Sequence, residues 1–329
     1  MNQKFRKLAI FVPITVAIYL TIATVLILAG KPKAPDVTQS GINISEMFFD
    51  YSGLPQLQSY VARDQTRLAY RHYPATSDKI VILLHGSGWH SQQFLPLANF
   101  ISSQGLAQVY TPDLRGHGAS PKRRGDVDYI GQFEHDLADF IEMIKQDHPN
   151  AMLVIGGHSS GGGLAIRFAG GEYGALADAY VLLAPFVYYN APTTRPNAGG
   201  WAQPYTKRIV GLSMLNNVGI HRFDYLPVID FNLPLKARNG TETLSYSFRL
   251  NTSFAPRNYE QDLSALTQPL LVVAGTADET MFAQKYEAVI SKYTDGEVKL
   301  LPDVTHMGVV VGTEVQPVIG KWLQQLQKY

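Results

Sequence analysis

Residues 8–30 form one run of 23 residues without a charge, preceded by Lys4, Arg6 and Lys7 and followed by Lys31 and Lys33. A helix crosses a bilayer core in about 20 residues, so this run is long enough to span one. The apolar region of a cleavable signal peptide is usually only about 7–15 residues. No clear A-x-A site follows here, which favours an uncleaved anchor over residues 1–30. The positive N-terminal flank favours a cytoplasmic start and a main body on the extracytoplasmic side, a bias that Lys31 and Lys33 reduce. Residues 31–45 are polar, proline-bearing and without period, which predicts a linker.

From residue 46 the pattern is that of a folded domain running to 329. Short runs at 57–63 and 67–73, around Asp64-Gln65-Thr66, predict a hairpin at a sheet edge. Beyond Lys79, continuous apolar runs of strand length at 80–84, 107–110, 180–184, 270–274 and 298–301 predict strands covered on both faces. Helical spacing separates them, at 94–101 and in the set Phe133, Leu137, Phe140, Ile141 and Ile144. His148-Pro149-Asn150 stops the second of these. Val315, Val318, Ile319, Trp322, Leu323 and Leu326 predict a closing helix. Strand and helix alternating in this way predict an α/β fold, a mostly parallel, doubly wound sheet.

Residues 187–267 break the alternation. Eighty structureless residues do not fit a compact domain, so this stretch is expected to be an inserted, helical cap over the carboxyl ends of the strands, where such sheets bind ligands. Its aromatic content, with Trp201, Tyr205, Phe223 and Tyr225, suits the roof of an apolar pocket, although packing inside the cap accounts for any single ring. The cap's surplus of Arg and Lys suits an anionic head group and solvated charge equally.

Composition narrows the chemistry. A formal net charge of +1 over 329 residues gives no footprint for nucleic acid. With no cysteine, disulfides, a thiol nucleophile and thiolate metal sites are excluded. The nine histidines are scattered, with no H-x-x-x-H or H-x-H pair, so a metal site is not expected.

Residues 152–163, MLVIGGHSSGGG, read as a buried strand driving into a tight turn that opens a helix, with Ser159 at the apex of a G-x-S-x-G pattern. Such a turn crowds the positions two before and two after the serine, which Gly157 and Gly161 occupy. Centring it on Ser160 would put His158 at a crowded position. A serine nucleophile needs a base and the base an acid, each just beyond a strand end. His306, after the last strand, and Asp278, after 270–274, meet that condition in the order Ser, Asp, His. Glu279 is the substitute acid. His85, His117 and His158 fall in glycine-flanked turns, where structural roles are expected. Donors for a developing oxyanion are expected from the backbone N–H of Ser160 and of Ser87, with Gly88 as alternate.

Taken together, His85-Gly86-Ser87-Gly88 after the first core strand, the 113–120 stretch D-x-R-G-H-G-x-S followed by Arg124-Gly125, the elbow at Ser159 and the late Asp278 and His306 resemble the α/β-hydrolase family. The 113–120 stretch resembles its monoacylglycerol lipase, lysophospholipase and serine aminopeptidase branch. The resemblance covers about residues 57–329 and leaves out the apolar N-terminus. It implies an acyl-serine intermediate hydrolysed by water without a cofactor, with Asp113 to Ser120 ordering the loop beside the site. Gly163 makes the elbow unusually glycine-rich, and the cap carries no motif that names a substrate. A bilayer anchor makes monoacylglycerols or lysophospholipids the expected partners, with a soluble ester or a peptide amide as further options.

Three other functions fit parts of the chain. An acyltransferase would use the same residues, with an alcohol in place of water. A binding protein could keep the fold without activity. Residues 86–91, GSGWHS, with Asp113 form a partial dinucleotide fingerprint, but Ser91 stands where its last glycine belongs.

Overall fold

A computed structural model describes residues 3–30, 41–119 and 121–327. Lys31, Lys33 and Ser120 therefore lie outside the described residues. In chain order the strands are β1 (Gln58–Val61), β2 (Arg67–Tyr73), β3 (Lys79–Leu84), β4 (Gln108–Pro112), β5 (Met152–His158), β6 (Ala179–Leu183), β7 (Ala202–Pro204), β8 (Pro227–Phe231), β9 (Ser245–Ser247), β10 (Leu270–Gly275) and β11 (Glu297–Leu301). The helices are α1 (Gln3–Ala29), α2 (Leu95–Ser103), α3 (Gln132–Asp147), α4 (Ser160–Ala169), α5 (Thr206–Asn216), α6 (Phe248–Phe254), α7 (Tyr259–Ser264), α8 (Tyr286–Tyr293), α9 (Gly308–Val311) and α10 (Val315–Gln325).

Eight strands form one sheet in the order β1-β2-β4-β3-β5-β6-β10-β11. β1 and β2 form the predicted hairpin and pair antiparallel, as does β2 with β4, and every later pair is parallel. Alternation along β3 divides the core. Ile80, Ile82 and Leu84 point into a cluster with Phe133, Phe140 and Tyr286, while Val81 and Leu83 point into another with Leu97, Ile319 and Trp322. Both faces of the sheet are thus covered by helices, which is why these strands read as continuous apolar runs. Each fully buried aliphatic side chain stabilises the fold by about 1.5–3 kcal/mol relative to exposure, before its ordering cost. The register sets the strand ends level: Leu84 lies opposite Gly157, His158 opposite Leu183, and Gly275 opposite Leu301. The loops that begin at His85, Ser159, Thr276 and Pro302 therefore emerge along one edge of the sheet.

The cap differs from the helical insertion expected. Besides α5, α6 and α7 it holds a three-stranded antiparallel sheet, β7-β8-β9. These strands are three to five residues long, too short for alternation to stand out from a Pro-, Asn- and Tyr-rich background.

Within the predicted linker, residues 31–40 lie outside the described residues. The remainder is attached to the domain: Ile42 and Ile44 are buried in the main core, and Asn43 caps a short 3-10 turn, Ile44–Met47. Among the described residues one helix window, Val12–Ala29, is long and apolar enough to cross a membrane, with a mean hydropathy of 2.4.

Candidate active site

β5 ends in a turn that forces Ser159 to φ 52°, ψ −118°, a conformation that non-glycine residues rarely adopt. The turn is held by Ser159 N–H on Leu183 O at 3.0 Å and by Phe186 N–H on Ser159 O at 2.8 Å. A Cβ on Gly157 would lie 2.2 Å from Gly161 O, and one on Gly161 2.1 Å from Leu84 O, so both flanking glycines are steric requirements. Gly163 has a reason too: a Cβ there would lie 2.6 Å from Phe186 O, where the chain leaves β6.

The loops after β10 and β11 bring Asp278 and His306 together. His306 Nδ1–H donates to Asp278 Oδ2 at 2.8 Å, and both residues are buried. Asp278 Oδ1 accepts from Thr280 N, Thr280 Oγ1 and Met281 N at 2.7–3.0 Å. Burial pushes the Asp278 carboxyl up, but the His306 charge, its hydrogen bond and these amides outweigh that and hold it below its ordinary value. The carboxylate thus fixes the tautomer, with the proton on Nδ1 and a lone pair on Nε2. Thr280 Oγ1 also lies 2.8 Å from Nδ1. The His158 ring packs 4.7 Å from the His306 ring, and its Nε2–H donates to His306 O at 3.0 Å, which ties the elbow to the His306 loop.

Glu279 holds backbone groups instead of the imidazole: its carboxylate accepts the backbone N–H of His306 at 2.9 Å and of Asn43 at 2.8 Å. Beside it Thr305 Oγ1 donates to Glu46. The segment 41–47 therefore straps the His306 loop from outside.

The three glycine-flanked histidines have structural partners. His85 Nε2 accepts Leu114 N–H, and His117 bonds Arg115 O and the Tyr246 hydroxyl. Burial lowers His85 to about 4 and keeps His117 and His158 well below the ordinary imidazole value, so all three are neutral at pH 7. Asp113 accepts Ser91 N–H at 2.9 Å and packs against Gly118, ordering the loop after β4.

Of the two donors considered after β3, Gly88 N–H is already given to the Tyr246 hydroxyl at 2.7 Å. The N–H groups of Ser87 and Ser160 have no hydrogen-bond partner among the described residues. Trp201 Nε1–H donates to Ser87 Oγ at 3.1 Å, so the cap fixes this loop directly. Ser87, Ser159, Ser160 and Thr280 line one pocket, roofed by Trp201, Ile229, Phe231 and Phe254 and closed down to about 70 Å³. Sequence reasoning missed Thr280, Tyr246 and the strap. Tyr246 stands 158 residues from Gly88 and Asn43 stands 236 from Glu279, and no local pattern announces either pairing.

A strained serine between a parallel strand and a helix, at the same sheet edge as a buried Asp–His pair and under a cap, defines an α/β-hydrolase. Residues 75–309 match the model of the family described as serine aminopeptidase, S33; this is well over half of the chain, which therefore belongs to that family. Human monoglyceride lipase is 27% identical over 243 residues, covering 69% of this chain and 74% of the human one. A monoacylglycerol lipase of Mycolicibacterium smegmatis is 24% identical over 261 residues, covering 75% and 89%. The crystal structure of a soluble variant of Saccharomyces cerevisiae monoglyceride lipase with a substrate analog superposes with a TM-score of 0.64 at 19% identity, covering 86% of this chain and 99% of that one. The chain is a hydrolase enzyme of the branch that holds the monoacylglycerol lipases.

Proposed function

We propose that this protein cleaves carboxylic esters of lipid-like substrates, monoacylglycerols or lysophospholipids, through an acyl-serine intermediate on Ser159. The buried His306–Asp278 pair at the strand-end edge that carries the strained serine is the observation on which this rests. His306 Nε2 takes the proton of Ser159 Oγ as that oxygen bonds to the ester carbonyl carbon. The N–H groups of Ser87 and Ser160 receive the oxyanion, each worth about 10²–10³ in rate. When the carbon–oxygen bond to the alcohol breaks, His306 gives its proton to the leaving oxygen. Water then attacks the acyl-serine, its proton passes to His306 and on to Ser159 Oγ, and the carboxylic acid leaves. Asp278 stays ionised throughout and stabilises the imidazolium.

The names of the relatives, the apolar roof of the pocket and the N-terminal helix support the lipid assignment. In this proposal α1 is an uncleaved anchor with its N-terminus in the cytoplasm, and residues 187–267 cap a hydrolase domain of residues 46–329 on the other side. A fluorophosphonate probe applied to the full-length protein in detergent tests the nucleophile: labelling is expected on Ser159, and a folded protein that stays unlabelled contradicts it. A panel of monoacylglycerols, lysophospholipids, soluble esters and peptide amides tests the substrate class. Free fatty acid is the expected product, and acyl transfer to glycerol dominating at low glycerol would make the enzyme a transferase.

A further inference from the structure

Residues 41–47 lie before residue 75, where the family match begins, yet they touch two parts of the candidate site. Ile42, Ile44 and Met47 are buried in the main core, which fixes the backbone between them. Asn43 is exposed on the outer side, where it meets two carboxylates. Its backbone N–H donates to Glu279 Oε1 at 2.8 Å, and its Nδ2–H donates to Glu46 Oε1 at 3.1 Å. Each carboxylate passes the hold on through its other oxygen. Glu279 Oε2 accepts His306 N–H at 2.9 Å, and Glu46 Oε2 accepts the Thr305 hydroxyl, whose oxygen takes Gly308 N–H at 3.0 Å. The chain on both sides of the imidazole, from Thr305 to Gly308, is thereby tied to one asparagine. Hydrogen bonds from an N–H to a carboxylate are about twice as strong as neutral ones.

The same segment reaches the cap. Gly41 stands at φ 71° against residues 200–201, where a Cβ on it would collide with Trp201 N and Gly200 C. Trp201 is the residue whose Nε1–H holds Ser87 Oγ at 3.1 Å. A Cβ on Gly199 would collide with Glu279 O, so the cap turn also packs directly on Glu279. Arg195 N–H donates to Thr280 O at 3.2 Å and Phe282 N–H to Thr193 O at 2.7 Å. The turn 279–282, which carries the Thr280 hydroxyl and Met281 amide contacts of Asp278, is thus gripped between residues 41–47 and cap residues 193–201. Misplacing a reacting group by about 1 Å can cost about 10² in rate, so a clamp at this junction bears on turnover.

We propose, resting on the roles of Ser159 and His306 proposed above, that residues 41–47 are a positioning clamp for the reaction. Asn43 sets the two carboxylates, Glu279 and Glu46, that hold His306 and its neighbour Thr305, and Gly41 braces the cap turn whose Trp201 holds the Ser87 loop. The base and one oxyanion donor are kept in register by a segment that precedes the matched part of the chain, and Asn43, Glu46 and Thr305 are positioning residues of the site.

The test uses the full-length protein in detergent, a short chromogenic ester, and kcat normalised to the Ser159 sites titrated with a fluorophosphonate. Asn43 sits at φ −74°, which proline adopts, so Asn43→Pro removes the N–H that holds Glu279 without demanding a new φ. Asn43→Ala loses the same side chain and keeps that N–H, so the ratio of the two variants isolates the hydrogen bond. Asn43→Pro is expected to have a kcat per site about fivefold below that of Asn43→Ala, with KM within about twofold. A second pair decides the matter even where proline is not accepted. Glu46→Ala and Thr305→Val are each expected to lower kcat per site about threefold, the double variant no further than the worse single one. Thr305→Ser, which keeps the hydroxyl, is expected to restore the rate. Equal kcat per site in Asn43→Pro and Asn43→Ala overturns the inference. So does a Glu46→Ala and Thr305→Val pair that acts additively, or that lowers the melting temperature while kcat per site stays unchanged, since a purely structural segment would do just that. A folded wild-type chain whose Ser159 takes no label overturns the catalytic reading and this inference with it, whereas full labelling with unaltered variant rates overturns this inference alone.

Discussion

The strand-end loops and the cap above them are built by different rules. In the loops after β10 and β11, the buried polar pair is held on many sides: Asp278 takes hydrogen bonds on both oxygens, and His306 is held through its ring and through its backbone N–H and C=O. In the cap, large apolar side chains such as Val210, Val218 and Leu235 stand exposed, and the strands are short. A reaction needs atoms fixed to a fraction of an ångström, and the level ends of parallel strands supply that. Recognition of a flexible acyl chain tolerates a softer wall. The cavity over Ser159 is only about 70 Å³, and loop and cap residues share its lining.

Substitutions can test how sharply the two regions differ. Ser159→Ala is expected to lower kcat by about 10⁶ with folding unchanged by circular dichroism. Asp278→Asn, which leaves the geometry but loses the charge that fixes the tautomer, is expected to cost about 10⁴ in kcat. Its neighbour makes a close contrast. Glu279→Ala removes the acceptor of the His306 N–H and is expected to lower kcat only about tenfold, or about 1.4 kcal/mol, with KM little changed. If Asp278→Asn were the mild variant and Glu279→Ala the severe one, their assigned roles would have to be exchanged.

Stability should depend on pH through the buried histidines around the loops. His85, His117 and His158 are neutral in the folded chain, His85 down to about pH 4. The unfolded chain protonates them below about 6.5. Between those values the unfolded state binds more protons, so the melting temperature is expected to fall as pH is lowered from 7 towards 4. A flat melting temperature over that range would contradict their burial as neutral groups. The depressed Asp278 carboxyl acts lower still, keeping its contribution until pH falls below the ordinary carboxylate range. In the cap the expectation is near silence: Leu235→Ser should change stability by less than about 0.5 kcal/mol in urea unfolding, because Leu235 is 68% exposed.

The loops were legible in the sequence because each lies directly after a strand whose apolar run marks its end. Gly157 and Gly161 announced the elbow by the space they leave, and Asp278 and His306 were placed by counting from strands. The cap strands were not legible, since runs of three to five residues give no period to detect. Gly163 looked surplus because its reason, the approach of Phe186 O, belongs to a segment 23 residues later. Thr280 escaped notice for another reason. A threonine two residues after an aspartate is ordinary, and only the fold brings its hydroxyl to both Asp278 and His306.

The strap has a consequence for biosynthesis. Residues 41–47 leave the ribosome soon after α1, but the groups they bind, on Glu279 and Thr305, are made 236 to 259 residues later. At bacterial or eukaryotic rates of about 5–20 residues per second, the strap waits roughly 10–50 s for its partners. Under the proposed mechanism, the nascent chain until then carries Ser159 without His306, and hydrolytic competence waits for the loop that holds His306.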